Sequence, residues 1–216
     1  LPVKIKDYEV LSDLGLYLSS GFLIAVIILL AVFFDKKEET NRTKSIAFAG
    51  VCISLSFALS FIKIEFLGGS ITLASALPLI IYSYIFGLRK GILAGVIFGV
   101  LQFIQKPTIY QPMQVILDYP IAFGSIGLAG IIQSYNKSPL FKFIVGASLG
   151  LFFRYVSHVI SGYFVFYIFA LDGWNPFAYS VVFNMNVLID LAIVLFVGTF
   201  LFSSKSFVAV LERLKY

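Results

Sequence analysis

Apolar residues run along this chain in long blocks, and polar residues gather in the short breaks between them. The blocks are about 18–25 residues long, the length an α-helix needs to cross roughly 30 Å of hydrocarbon. Seven spans are predicted, at 11–34, 44–62, 71–88, 91–105, 112–134, 140–170 and 176–203. The fourth is short, and the sixth is long enough to tilt or protrude. No series of short alternating segments points to a β-barrel. The pattern predicts an all-α polytopic membrane protein.

The breaks are unequal in charge. Lys36, Lys37, Arg42, Lys44, Arg89, Lys90, Lys137, Lys142, Lys205, Arg213 and Lys215 fall on one side of the predicted membrane. Lys4, Lys6, Lys63 and Lys106 fall on the other. Eleven against four puts the N-terminus outside and the C-terminus in the cytoplasm of a multi-pass cell-membrane protein. The first span runs into charge and not into a small-residue cleavage site, so it is expected to be a retained helix. The three breaks rich in Gly and Pro, "FLGGS" (66–70), "QKPTIYQP" (105–112) and "LDGWNP" (171–176), all lie outside by this count. Elaborate loops on one face are where a binding site is built.

Composition narrows the function classes. The chain is 60% hydrophobic with a mean hydropathy of +0.98, which a soluble domain of this size could not bury. The formal charge of +5 belongs to the cytoplasmic loops and implies no nucleic-acid partner. Cys52 is the only cysteine and His158 the only histidine, so no disulfide, metal site or other cofactor is expected. Phosphate loops and HExxH or CxxC motifs are missing, as is any ATPase domain. Import driven by ATP would therefore need partner subunits.

Small residues recur four apart at Gly91, Gly95 and Gly99, and again at Gly50, Ser54 and Ala58. This spacing lets helices approach closely. The first set reads as internal packing, and the second equally well as a docking face for another membrane protein.

A charge in hydrocarbon is costly, so each polar residue inside a span needs a reason. Arg154 and Asp190 both fall near mid-membrane and read as a structural ion pair. Asp118 lies roughly 10 Å into the fifth span, on one face with Gln111 and Gln114. His158 lies about 27 Å along the sixth span, in its outer half, and Tyr179 and Asn184 are in the outer half of the seventh. Three helices thus bring polar groups to one level, among Tyr110, Tyr119, Phe166 and other aromatic rings. Arg154, His158, Gly162 and Phe166 form a stripe at intervals of four, in which Gly162 leaves room for a flat ring and Phe166 could cover it. A carboxylate among π-faces suits a cationic aromatic solute. Trp174 reads as an interfacial anchor.

Four stretches, "GGSITLASALPL" (68–79), "GLRKGILAGVIFGVLQ" (87–102), "YQPMQVILDYPIAFGSIGLAG" (110–130) and "HVISGYFVF…GWNPFAYSVVFN" (158–184), resemble the thiamine-specific substrate-binding subunits of energy-coupling factor transporters, the ThiT (YuaJ) family. The resemblance covers roughly residues 45–203. It implies a six-helix bundle over 44–216, with 1–43 as an extension carrying one extra transmembrane helix. It also implies thiamine bound near the outer face, under a loop that here is 63–70. Carried over, the acidic–aromatic pair is Asp118–Tyr119, the stacking histidine is His158 with Gly162 and Phe166 on its stripe, and the polar ligands of the last helix are Tyr179 and Asn184. The family also uses Glu at the Asp118 position and Trp at the Phe166 position, so acid and ring are smaller here. The implied partners are a transmembrane coupling subunit and two cytoplasmic ATPases. Another vitamin, or a pyrimidine such as hydroxymethylpyrimidine, is the near alternative ligand. An integral-membrane enzyme using Asp118 and His158 as acid and base is an alternative of a different class, and a scaffold without ligand is a third.

Overall fold

Several helix starts are written in the sequence as a cap followed by proline. Gln111, Ser138 and Asn175 each accept a hydrogen bond from a backbone N–H of the turn they open, and Pro112, Pro139 and Pro176 follow. Proline at that position gives up an N–H that has no helical partner anyway. Asn41 caps the second helix through Lys44 N at 3.2 Å.

The computed structural model of the protein describes residues 5–34, 41–66, 69–133, 135–170 and 174–215. The predicted loop charges Lys4, Lys36 and Lys37, and loop residues 67–68 and 171–173, lie outside the described residues. The chain forms α1 (Ile5–Phe33), α2 (Arg42–Leu59), β1 (Lys63–Phe66), β2 (Gly69–Thr72), α3 (Leu77–Phe86) and α4 (Leu88–Gln105). It continues with α5 (Pro112–Ile132), α6 (Pro139–Phe164), α7 (Pro176–Ser203) and α8 (Lys205–Lys215). Among the described residues, six helices are long and apolar enough to cross a membrane: α1 over Asp13–Phe33, α2, α4, α5, α6 and α7. The protein is an all-helical, multi-pass membrane protein.

The third predicted span is corrected. Its first part is not helical. Residues 69–72 pair antiparallel with β1 in the register Lys63↔Thr72, Ile64↔Ile71, Glu65↔Ser70 and Phe66↔Gly69. Ala74 then takes a positive φ of 53° in the turn into α3, a conformation non-glycine residues rarely adopt. Only ten residues remain for α3, about 15 Å of helix. It is buried almost throughout, with Leu79, Ile80, Tyr84 and Ile85 at the centre of the main core. The sixth span is also shorter than predicted: α6 stops at Phe164, and Phe166–Phe169 form a separate tight turn. The C-terminal α8 was not foreseen as an element. Leu211 buries its apolar face, and Glu212 Oε1 accepts the Tyr84 hydroxyl at 2.9 Å.

The N-terminal helix packs onto the bundle. Leu16, Leu23 and Ile27 lie with Leu88 of α4 and Leu117, Leu128, Ile131 and Ile132 of α5, while Gly15 lies against the Phe164 ring of α6. Lipid is as apolar as these side chains, so close packing holds such a helix in place.

The Gly91–Gly95–Gly99 face is internal packing, as read from its spacing. A Cβ on Gly95 would collide with the Phe123 carbonyl oxygen and lie 3.0 Å from Gly124 Cα of α5. Gly50, in contrast, has no heavy atom within 4 Å of such a Cβ. Gly95→Ala is therefore expected to destabilise by about 1–3 kcal/mol, because the obstructing atoms are backbone. Gly50→Ala should not lower stability. Melting temperatures of the two variants in detergent check both.

Candidate functional site

The site is built around an irregular helix. After one α-turn, α5 widens into a π-helical turn over Leu117–Ile121, and its last residues, Ser125–Ile132, tighten into a 3₁₀-helix. Pro120 lies within the widened turn and offers no N–H to the preceding helix, so regular bonding fails there. Asp118 and Tyr119 occupy this turn.

Asp118 is held on both oxygens. Oδ1 is 3.1 Å from His158 Nδ1, and Oδ2 accepts from Gln114 Nε2 at 2.7 Å and from Ser161 Oγ at 2.9 Å. Facing a carboxylate acceptor, Nδ1 of His158 carries the hydrogen of this contact. The two side chains are 14% and 18% exposed, so each keeps an open edge. Tyr119 is more constrained. Its hydroxyl accepts from Thr108 N at 3.0 Å and donates to Lys106 O at 2.8 Å, and its ring makes a T-shaped contact with Phe103 at 5.0 Å between centroids.

These residues border a cavity of about 290 Å³. Of the predicted site residues, Asp118, Tyr119, His158, Gly162, Phe166 and Asn184 line it. Tyr179 does not; its ring tilts against Phe183, with centroids 5.2 Å apart. Phe166 closes one side with Tyr110 edge-on at 5.0 Å. Gly162 also has a packing role that its spacing did not imply. The space its Cβ would take is filled by Ser180 Oγ and by Asn184 Nδ2 at 3.1 Å. It brings α6 and α7 together at the edge of the cavity. Asn184 breaks α7 with φ −89° and ψ 8°, and its Nδ2 donates to Ser180 O at 2.8 Å and His158 O at 3.3 Å.

The opposite wall was foreseen only as a covering loop at 63–70; in the structure 63–66 and 69–72 pair as strands. Ser70 and Thr72 of the hairpin border the cavity, together with Lys63, Gln102, Gln105 and Lys106. The signal was present: polar and apolar residues alternate over 63–66 and 70–73 around Gly68-Gly69, a hairpin pattern. The apolar half of this alternation merged with the following run and was read as helix.

Arg154 and Asp190 do pair, Nη1 to Oδ2 at 3.4 Å, with side chains 9% and 2% exposed. Their surroundings add two features. Arg154 lines the cavity, its guanidinium 4.6 Å from the Phe123 ring centroid, and its buried Nε has no partner among the described residues. Asp190 Oδ1 accepts from Thr72 N at 2.7 Å and Thr72 Oγ1 at 3.3 Å. The buried pair thus ties the hairpin to the bundle at the cavity edge.

Such a cavity can hold a flat cation, with charge compensation at Asp118 and π-surface at Tyr119 and Phe166. Comparisons with known proteins agree in kind. Residues 46–210 match the model of the thiamine transporter protein family, Thia_YuaJ. The chain is 31% identical over 132 residues to the thiamine transporter ThiT of Bacillus subtilis strain 168, covering 56% of this chain and 68% of that protein. It is 31% identical over 117 residues to ThiT of Lacticaseibacillus paracasei, covering 46% of this chain and 58% of that protein. A solved structure of ThiT from Listeria monocytogenes superposes with a TM-score of 0.68 at 24% identity, over 76% of this chain and 96% of that one. The family match, from residue 46, begins after α1. These relatives are transporters and not enzymes, and the chain belongs to the Thia_YuaJ thiamine transporter family.

Proposed function

We propose that this protein is the substrate-capture subunit of an energy-coupling factor importer, binding thiamine from the outer side of the membrane. One observation carries the reading. Asp118 and His158, from different helices, meet at 3.1 Å on the wall of a cavity that also takes Tyr119, Gly162, Phe166 and Asn184. A bundle fastened only by polar contacts would have no need of this hollow. The thiazolium charge lies against Asp118, and the rings lie against His158 and Phe166. Arg154 also borders the cavity, where its guanidinium stays paired with Asp190. Tyr179 acts through Phe183. The 63–72 hairpin closes over the bound vitamin.

Delivery requires a transmembrane coupling subunit and two cytoplasmic ATPases. Gly50, Ser54 and Ala58 of α2 face outward from the bundle, and this flat surface is where the coupling subunit docks. Residues 1–43 are an accessory extension, of which α1 packs against α4, α5 and α6. With the short α3 counted as a seventh crossing, the basic loops put the N-terminus outside and the C-terminus in the cytoplasm.

The test is direct binding to the purified full chain. Thiamine is expected to quench Tyr and Trp fluorescence with nanomolar affinity, and to co-purify as identified by mass spectrometry. Binding of hydroxymethylpyrimidine without thiamine would move the protein to the precursor reading. Binding of neither would refute the cavity as a vitamin site.

A further inference from the structure

Gln114 is fully buried and does not border the cavity, yet it touches three parts of the site. Its Oε1 accepts from Tyr110 N at 3.1 Å. Its Nε2 donates to Thr108 O at 3.2 Å and to Asp118 Oδ2 at 2.7 Å. The amide thus uses its acceptor and both hydrogens. Its orientation is fixed as well, because reversing it would set Oε1 against a carboxylate and a carbonyl.

The groups it joins are themselves joined to the aromatic wall. The Tyr110 ring meets Phe166 at 5.0 Å, and Thr108 N donates to the Tyr119 hydroxyl. The outer segment 108–110, the two aromatic faces and the Asp118 carboxylate therefore share one buried amide. Gln114 also spans the junction at which α5 widens, being four residues before Asp118. An aspartate at such a junction has rotational freedom that Gln114, Ser161 and His158 remove together.

We propose that Gln114 is the positioning residue for charge recognition: it holds the Asp118 carboxylate in register with the aromatic wall and so sets the preference for a cationic over an uncharged ligand. This rests on the reading of the cavity as a thiamine site. Without Gln114, Oδ2 keeps only Ser161 and Oδ1 only His158, and the carboxylate shifts from the position that serves the cation. The aromatic surfaces still accept an uncharged ring.

The experiment uses the full chain in detergent and two ligands of the same outline. These are thiamine and 3-deazathiamine, in which an uncharged thiophene replaces the thiazolium. Gln114→Leu is expected to weaken thiamine tenfold or more and 3-deazathiamine less than threefold. On an Asp118→Asn background, the same substitution should change thiamine affinity less than threefold, because the group it positions has lost its charge. Equal losses for both ligands, or additive losses in the double variant, overturn the proposal. Where Gln114→Leu does not fold, Ser161→Ala removes the other donor to the same oxygen. It is expected to lower the thiamine preference, and an unchanged preference overturns the proposal. Wild-type protein that binds no thiamine refutes the functional reading as well, whereas thiamine binding with an unchanged preference refutes this inference alone.

Discussion

Asp118→Asn is expected to abolish most of the affinity for thiamine while leaving a folded protein. Asparagine keeps the side-chain shape and can still meet Ser161, but it brings no charge to a site largely shielded from water. Truncating one partner of a buried, hydrogen-bonded charge pair costs about 2–5 kcal/mol, a factor of roughly 30 to 5,000 in Kd. The loss should be confined to charged ligands, because the rings of Tyr119, His158 and Phe166 remain. Titration of the variant with thiamine, alongside its melting temperature without ligand, checks this. Wild-type affinity would show that the cation is met elsewhere. A collapsed melting temperature would place Asp118 among the fastenings of the bundle.

The second large effect concerns stability and the hairpin. Asp190→Leu leaves the Arg154 guanidinium buried without its counter-charge and deprives Thr72 N of its acceptor. Breaking a buried ion pair from one side is expected to cost about 3–5 kcal/mol. Replacing both partners, as in Arg154→Met with Asp190→Leu, should recover most of that loss, since no lone charge is left behind. The hairpin should not recover, because Thr72 N still lacks its acceptor. Hydrogen exchange over 63–72 is therefore expected to be fast in both variants, while the melting temperature falls sharply only in the single one. A double variant as unstable as the single one, or slow exchange in either, would contradict this division of labour.

These two expectations separate two acids that look alike in the sequence. Asp118 and Asp190 are each a lone carboxylate in an apolar run, with a basic residue at a matching depth. The structure gives Asp118 three donors and an open edge on the cavity. It gives Asp190 a guanidinium and a strand. Depth counting brought Asp118, His158 and Asn184 to one level, and all three border the cavity, because a helix rises by a fixed amount per residue. The count breaks down where the backbone leaves the helix. The π-helical turn at Pro120 and the break at Asn184 rotate the residues that follow, and neither shift is visible in a regular 3.6-residue count. Tyr179, which precedes the break at Asn184, shows a separate limit: its level agrees with that of the cavity-lining residues, but its ring lies against Phe183 outside the lining.

The hairpin was hidden for a related reason. Strand and buried helix both appear as apolar runs when flanking residues are also apolar, and Ile71, Leu73 and Leu77 supply that continuity. Gly162 shows a third limit. Spacing placed it on the His158 stripe, but only packing reveals that Ser180 and Asn184 fill the space beside it.

By itself the sequence determined that the chain lives in a bilayer, where its long helices begin, and which few polar residues require an explanation. These follow from local quantities: run length against membrane thickness, cap and proline chemistry, and the cost of an unpaired charge in hydrocarbon. Only the tertiary structure decided which polar groups face a common hollow, that a β-hairpin walls one side of it, and that Arg154 and Asp190 fasten that wall. Those outcomes depend on how helices rotate about their axes and on where backbone irregularities fall, and both are settled by packing between segments far apart in the chain.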